Sequence, residues 1–521
     1  MSILSGLHRA VQINAHGIAT VHAGRRRTWA EFSDRVSRFA GALRTLGVER
    51  GMRVAILAHN SDRYLEYYYA VPWAGGIVVP LNVRLAAAEL TEILNDSGAE
   101  ILIVDEAMSP MLPALYGRLT SVRQFVLLDN ALVDRGADAA IAVVSLESAI
   151  AATAPVEPAT PGPNDPYGLF YTGGTTGRGK GVVLTHASIT ANAMNILAEL
   201  GFNESTVYMH AGPMFHLADC GATFGVTLGT GAHAFVPRFE AGAVLETIAG
   251  CRVTHSVLVP TMINMMVNSP AFASTDVSSM RGVLYGGAPM PEALLRQAIA
   301  ALPHCGFTQA YGMTELSPCA TFLSARYHTL DGPLSGRLRS GGRAAHTADV
   351  RIVDTDDREV PRGTIGEITV RGPIVMKEYW NQPEATAQAL RNGWMHTGDL
   401  GTMDDEGFVF VVDRSKDMIV TGGENVYSVE VENAVCQHPS VAMCAVIGVP
   451  DAQWGERVHA VVLPKAGQSV TPEDIIALCR TLIANYKIPR SVDIRTEPMP
   501  TSGAGKVLKT VLRAEYAAGH Q

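Results

Sequence analysis

The chain has 521 residues, 47% hydrophobic and 17% charged, with a net charge of −9 at pH 7. This length is too great for one hydrophobic core and predicts at least two domains. The acidic balance excludes a general nucleic-acid or anionic-membrane binder, and no apolar run is long enough to span a bilayer.

Cys220, Cys251, Cys305, Cys319, Cys436, Cys444 and Cys479 are scattered, odd in number and form no C-x-x-C pair. They predict neither a disulfide framework nor a zinc site, and they suit a reducing compartment. The first residues lack a basic segment followed by an apolar one, so a cytoplasmic location is expected.

In chain order, residues 1–150 alternate helical and strand patterns. Thr28-Trp29-Ala30-Glu31 is a capping box opening a helix to about Leu46. Residues 53–57, 77–81 and 101–104 read as buried strands, and 64–74 and 86–97 as helices. The tyrosines 64, 67, 68 and 69 read as packing. This alternation predicts a mostly parallel sheet covered by helices. Residues 153–166 hold five prolines and read as a linker or surface loop.

Next comes Tyr171-Thr172-Gly173-Gly174-Thr175-Thr176-Gly177-Arg178-Gly179-Lys180-Gly181, between strand patterns at 167–171 and 182–186. Glycines bring backbone close to an anion, N–H groups form a concave nest, and hydroxyls and cations complete a polyphosphate cradle. A strand-loop-strand setting places the loop at a sheet edge. Ser188 reads as the N-cap of a helix to Leu200. Two other readings compete. One is a glycine-rich surface turn. The other is a P-loop, since 174–180 fits G-x-x-x-x-G-K; but Gly181 stands where a magnesium-binding Ser or Thr belongs, and no helix opens there.

From 205 to 330, strand patterns end on polar or glycine-rich turns: 207–210 before Pro213-Met214-Phe215-His216, then 232–236, 254–259, 283–286 before Gly287, and 307–311 before Gly312. Ligands of open parallel sheets gather at such carboxyl ends. Residues 335–412 read as a small antiparallel sheet or barrel, 413–417 as a polar break, and 418–521 as a small α+β domain.

With these pieces in order, the chain resembles the acyl-adenylate-forming enzymes: acyl-CoA synthetases, adenylation domains of peptide synthetases, and luciferases. The likeness runs from roughly residue 10 to 515. Thr172-Gly173-Gly174-Thr175-Thr176-Gly177 resembles the phosphate loop and Gly286-Gly287-Ala288-Pro289 the adenine-binding turn. Gln309-Ala310 lead into Tyr311-Gly312-Met313-Thr314-Glu315, which resembles the family's most recognisable motif. Thr397-Gly398-Asp399 precedes the hinge at 413–417, and Gly505-Lys506 resembles the catalytic-lysine segment. Gly179 departs from the family, which has proline before the loop lysine.

The resemblance implies an α/β fold. A large N-terminal domain, 1–412, is built of layered α/β subdomains (about 1–160 and 161–330, the second with the nucleotide and acyl sites) and a β-barrel-like subdomain (331–412). A hinge, 413–417, leads to a small mobile α+β C-terminal domain, 418–521. It also implies an acid–CoA ligase that forms acyl-AMP from Mg²⁺-ATP and then a CoA thioester. Thr172, Thr175, Thr176 and Lys180 would hold the outer phosphates and Thr314 the α-phosphate. Glu315 would hold Mg²⁺, Asp399 and Arg414 the ribose, and Lys506 would bridge carboxylate and α-phosphate. Lys416 is the implied pivot. Gly422, Gly423, Glu424, Trp454, Tyr486 and Lys487 are the implied CoA contacts; Ile488 stands where an arginine is often found.

His216, Leu217, Asp219, Cys220, Phe224, Val259, Met262 and Tyr285 are the implied acyl pocket, with His216 as its gate. Small residues there suggest room for an aromatic ring or a medium to long chain, and the absence of arginine argues against a dicarboxylate. Asp219 either meets a substrate hydroxyl or caps a helix. For Trp454 the alternative is a core anchor of the small domain. The implied partners are a carboxylic acid, ATP and CoA, and a homodimer is compatible with the sequence. The other functional readings are transfer to a carrier protein and a non-catalytic homologue of the same fold.

Overall fold

The computed structural model describes residues 2–128, 142–172, 179–288, 290–414, 416–451, 453–502 and 507–518. Among the described residues, two large sheets share a buried layer of helices. The first has eight strands, centred on Ile77–Pro80, Arg53–Leu57 and Ile101–Val104, all parallel. The second has nine, with a parallel centre of Val207–His210, His255–Val257, Gly282–Gly286 and Gly306–Gly312.

Local signals set the helices. Thr28 and Glu31 form the predicted capping box at the start of Trp29–Thr45. Ser61 caps Asp62–Ala74, which ends at Gly75 in the left-handed region, φ 100°. One correction concerns the helix after the phosphate-loop hairpin. It runs His186–Leu200 with Thr185 as N-cap, and Ser188 is the reciprocal partner of that box. The hydroxyls at 185 and 188 satisfy each other's backbone, so the helix opens earlier than Ser188 suggested.

Sheet membership crosses the expected division near residue 160. The hairpin strands Pro166–Thr172 and Lys180–Thr185 complete the first sheet, while Ile18–His22 and Arg25–Thr28 complete the second. The helices Trp29–Thr45, Asp62–Ala74, His186–Leu200 and Leu217–Leu228 fill one core between them, containing Trp29, Phe32, Phe39, Tyr64, Tyr67, Tyr68, Tyr69, Tyr167 and Phe224. Each such aromatic ring removes a large apolar area from water. Tyr67 also accepts from Val79 N at 2.8 Å and donates to Val54 O at 2.7 Å, so its hydroxyl is satisfied between two strands.

Residues 153–165 contain no helix or strand, in line with the proline-rich linker. The third sheet is antiparallel: Asp349–Val353, Gly366–Arg371, Trp394–Met403, Leu390–Arg391, with Val409–Arg414 on the long strand. That last strand takes in Asp413 and Arg414, so the polar break starts beyond them. The C-terminal sheet joins Ile419–Thr421, Glu424–Val426, Val441–Asp451, Gly455–Pro464 and Ser491–Ile494 around its own core. No helix among the described residues is long and apolar enough to cross a membrane.

Several histidines are buried in neutral form. Burial pulls His186 and His328 down to about 4, and His233 well below its ordinary value. The unfolded chain therefore binds more protons than the native one between about pH 6.5 and 4. Each such histidine should lower unfolding free energy by up to about 1.4 kcal/mol per pH unit as pH falls through that window. Urea titrations at pH 7 and pH 5 check this; equal stabilities at the two values would contradict neutral burial.

Candidate active site

The phosphate-loop hairpin pairs Thr172 with Lys180 across its mouth. Lys180 begins a strand, not a helix, which removes the P-loop reading. Gly173, Gly174, Thr175, Thr176, Gly177 and Arg178 lie outside the described residues, as do Pro289, Gly505 and Lys506. A Cβ on Gly179 would stand 3.1 Å from the Thr172 carbonyl oxygen.

The hairpin is not a bare edge. Glu378–Tyr379 adds a two-residue strand to Lys180–Thr185, pairing Tyr379 with Val182. The Lys180 ammonium lies 4.6 Å from the Tyr379 ring centroid, and the Tyr379 hydroxyl donates to Glu315 Oε1 at 2.7 Å. Glu315 is buried, and burial raises its carboxyl above the ordinary range. Its backbone oxygen accepts from Met376 N at 2.8 Å. Tyr379 is a site residue that sequence reasoning missed. Its stretch has no strand pattern, and only tertiary pairing brings it to Glu315.

Parallel strands put the adenine-turn candidates side by side. Tyr285 is paired with Gln309, and Gly286 with Ala310. A Cβ at Gly286 would come within 2.3 Å of the Ala310 carbonyl oxygen, so the two backbones approach this closely only with glycine. Gly287 has φ 74° and leads to Ala288. Beyond Gly312 and Met313, Thr314–Leu316 forms a single 3₁₀ turn. Asn192 holds the far side of that turn, donating to the carbonyls of Leu316 at 3.3 Å and Cys319 at 3.0 Å.

Asp399 and Arg414 are register partners on adjacent strands. Arg414 Nε lies 3.2 Å from Asp399 Oδ1, and the Tyr311 hydroxyl donates to Oδ2 at 2.9 Å. Burial and the Asp399 charge push the Tyr311 phenol well up, so it stays a neutral donor. Three separately predicted residues thus meet in one cluster. Burial, with Arg414 second, holds the Lys416 ammonium below the usual lysine range.

His216 is the N-cap of Leu217–Leu228, its Nδ1 accepting from Ala218 N at 3.1 Å. Burial brings it to about 4. A neutral ring that accepts at Nδ1 carries its proton on Nε2, leaving a donor there. Val259 caps the helix Pro260–Val267 on which Met262 lies, and both are buried with Tyr285. The Tyr285 hydroxyl meets His328 Nε2 at 2.9 Å and Gln309 Oε1 at 3.3 Å.

Three expectations about this pocket change. Asp219 neither caps a helix nor stands free for a substrate hydroxyl: it is buried, taking Tyr208 at 2.9 Å and His210 Nδ1 at 2.6 Å. Phe224 packs edge-on against Tyr68, Tyr69 and Tyr167, and Leu217 and Cys220 lie in the same core. Gly221 marks close packing in place of room, since a Cβ there would sit 2.6 Å from Pro318 Cδ.

In the C-terminal domain Gly422, φ 60°, and Gly423, φ 85°, turn the chain between Ile419–Thr421 and Glu424–Val426. Gly422 N donates to the Trp454 carbonyl at 2.8 Å, and a Cβ on Gly422 would meet the indole at 2.8 Å. The Arg490 guanidinium lies 4.3 Å from the indole centroid. Trp454 is therefore half-buried between a glycine turn and a cation, outside the domain's apolar clusters. Tyr486 is exposed, whereas its sequence neighbour Lys487 is ion-paired with Glu430 at 2.8 Å.

Two family models match the chain: AMP-binding enzyme over residues 7–380 and AMP-binding enzyme C-terminal domain over 430–506. A feruloyl-CoA synthase from an Amycolatopsis species is 40% identical over 510 residues, 98% of each chain. The long-chain-fatty-acid–CoA ligase FadD13 of Mycobacterium tuberculosis is 37% identical over 502 residues, 95% of this chain and 94% of that one. Among solved structures, the anthranilate CoA ligase AuaEII in complex with anthranoyl-AMP superposes with a TM-score of 0.90 at 26% identity. That superposition covers 100% of this chain and 98% of the other. With a two-domain match, near-complete coverage and an α/β layout common to both, the chain belongs to the AMP-binding enzyme family.

Proposed function

We infer that the protein is an ATP-dependent acid–CoA ligase that adenylates a carboxylic acid and then hands the acyl group to the CoA thiol. The observation that carries this reading is the convergence at one sheet edge of Lys180, Tyr379 and Glu315, with Tyr311, four residues before Glu315, joined to Asp399 and Arg414 of the third sheet. A carboxylate is a poor electrophile. Attack on the α-phosphate converts its oxygen into part of a good leaving group, but it brings two anions together. Fixed cations and hydrogen-bond donors must therefore stand where charge develops.

The residues divide that work. Thr172, Lys180 and the loop residues 173–177 hold the outer phosphates, with Lys180 steadied over the Tyr379 ring. Thr314 reaches the α-phosphate from the 3₁₀ turn. Asp399, already paired with Arg414 and Tyr311, accepts from the ribose hydroxyls. Gly286 to Pro289 and Gln309 to Met313 frame the base. Lys506 brings a compact charge to the carboxylate and the α-phosphate. His216 meets the acid through Nε2–H, beside Val259, Met262 and Tyr285.

Magnesium fits this donor set. Among the described residues no group of three or more His, Cys, Asp or Glu is placed to hold a metal. Glu315 offers a hard carboxylate oxygen, and nucleotide phosphates supply the rest, as this ion prefers. When bound, it neutralises phosphate charge.

Substrate and acceptor follow from the two ends of the site. The acyl end is apolar and without arginine, which suits a hydroxycinnamate- or benzoate-like ring or a medium to long fatty chain, as the feruloyl and fatty-acid relatives also suggest. At the other end, Gly422, Gly423, Glu424, Trp454, Tyr486 and Lys487 form the face for the pantetheine arm and nucleotide of CoA. Rotation about Lys416 brings that face in as Lys506 withdraws.

Pyrophosphate release with ATP, Mg²⁺ and a panel of hydroxycinnamates, benzoates and graded fatty acids tests the reading. AMP, pyrophosphate and a CoA thioester are the expected products; pyrophosphate and acyl-AMP without thioester would assign the acyl group to a carrier protein. Replacing the tail lysine, Lys506→Ala, should lower adenylation by at least about 10²-fold, the scale of a lost transition-state charge contact, yet spare thioester formation from supplied acyl-AMP. Equal loss in both half-reactions would sink the two-arrangement account. Trp454→Ala should raise KM for CoA about tenfold with pyrophosphate release unchanged, on the scale of one aromatic contact. Unaltered CoA kinetics would confine that indole to packing.

A further inference from the structure

The turn that delivers His216 is held from the opposite layer of the molecule. Residues 211–216 form no helix or strand. Their own bonds are few, among them Ala211 N to Met209 O at 3.2 Å and His216 N to Pro213 O at 3.0 Å. Asn60, just beyond the central strand Arg53–Leu57 of the first sheet, supplies others. It is 4% exposed. Its Nδ2 donates to the carbonyls of His210 at 3.2 Å, Gly212 at 2.7 Å and Val236 at 3.1 Å. Its Oδ1 accepts from Met214 N at 2.8 Å. Its backbone N–H donates to Pro237 O at 3.1 Å. Tyr68, on the helix Asp62–Ala74, donates its hydroxyl to Met214 O from the same side.

The chemistry of Asn60 is specific. A short amide presents donors and an acceptor together, and here both ends are used. Aspartate would turn a carboxylate toward three carbonyl oxygens. Alanine would take the side-chain partner from Met214 N and from the Gly212 carbonyl in a buried turn, which costs more than the bonds themselves contribute, while the His210 carbonyl would keep Val236 N. These contacts land on residues 210–214, two to six residues before His216, or on 236–237, just past the end of the neighbouring strand.

We propose that Asn60 and Tyr68 are positioning residues that aim His216 at the acyl end of the site, so that the first sheet's layer helps set which acid is adenylated. This rests on the reading of His216 as a residue facing the acid. Met214 is their shared anchor: Asn60 takes its N–H and Tyr68 its carbonyl, fixing one peptide on each side of the residue two before His216. A turn pinned in this way keeps the imidazole in place while the acid binds.

Tyr68→Phe is the cleanest test, because the ring and its edge contact with Phe224 remain and only the hydroxyl is lost. Asn60→Ala is the stronger variant, with its folding checked by circular dichroism and melting. Tyr68→Phe should lower kcat/KM for the acid about three- to tenfold, the ratio that one buried hydrogen bond supports, with KM for ATP unchanged. Added to His216→Ala, it should have no further effect, since both act through one group. Unchanged acid kinetics in Tyr68→Phe, with His216→Ala impaired, would overturn the proposal. So would the same fractional loss with and without His216. Should His216→Ala itself leave acid kinetics intact, the reading of His216 fails first, and the positioning proposal falls with it.

Discussion

The hydrogen bond from Tyr379 to Glu315 joins parts of the chain that no local rule connects. Glu315 stands in the turn after the second sheet's Gly306–Gly312 strand. Tyr379 belongs to a two-residue strand contributed from within the β-rich region, and that strand is added to the phosphate-loop hairpin of the first sheet. One buried carboxylate therefore registers both large sheets and the β-rich segment against each other. In the proposed function this is also the carboxylate that would share a cation with phosphates. Its burial raises the cost of its charge, and a nucleotide-bound cation would relieve that cost.

A second constraint is that the chain must present polar turns above a very apolar middle. Tyrosines and phenylalanines from three helices, with Tyr167 from a strand, fill the space between the sheets, and they supply the burial that holds the layers together. The turns at 211–216 and 316–319 lie on this core but cannot be held by it, because backbone N–H and carbonyl groups need partners. Asn60 and Asn192 provide them, each bridging two or more carbonyls of a site turn from a different element. Precision in the site thus comes from buried amides, and stability from buried rings.

Around Asp413 and Asp417, charge does the corresponding work. Asp413 accepts from the backbone of Ser428, and Arg513 of the final helix pairs with Asp417 at 2.9 Å. Lys509, largely buried and held against Glu432 at 2.7 Å, also contacts Ser428. Asp413 is therefore tied to the start of the helix Ser428–Val435, and Asp417 to the final helix Lys509–Ala518, whose Lys509 meets Ser428 as well.

Much of this was legible in the sequence, because it depends on local chemistry. The capping box at Thr28, the strand endings on glycine, the hairpin around the phosphate loop and the ordered motifs ending at Lys506 all follow from neighbours in the chain. Asp399 and Arg414 were legible as motif residues. What lay out of reach depended on who packs against whom. Sheet membership crossed the expected boundary near 160, because strands pair by surface and not by sequence order. Asp219 turned inward to Tyr208 and His210, and Gly221 made room for Pro318 and not for a substrate. Tyr379 and Asn60 carry no motif at all. The sequence by itself determined the family and the ligase chemistry, since those are written in short stretches. Only the tertiary structure decided which buried groups aim them, because an amide or a phenol acts on whatever distant backbone the fold brings within about 3 Å of it.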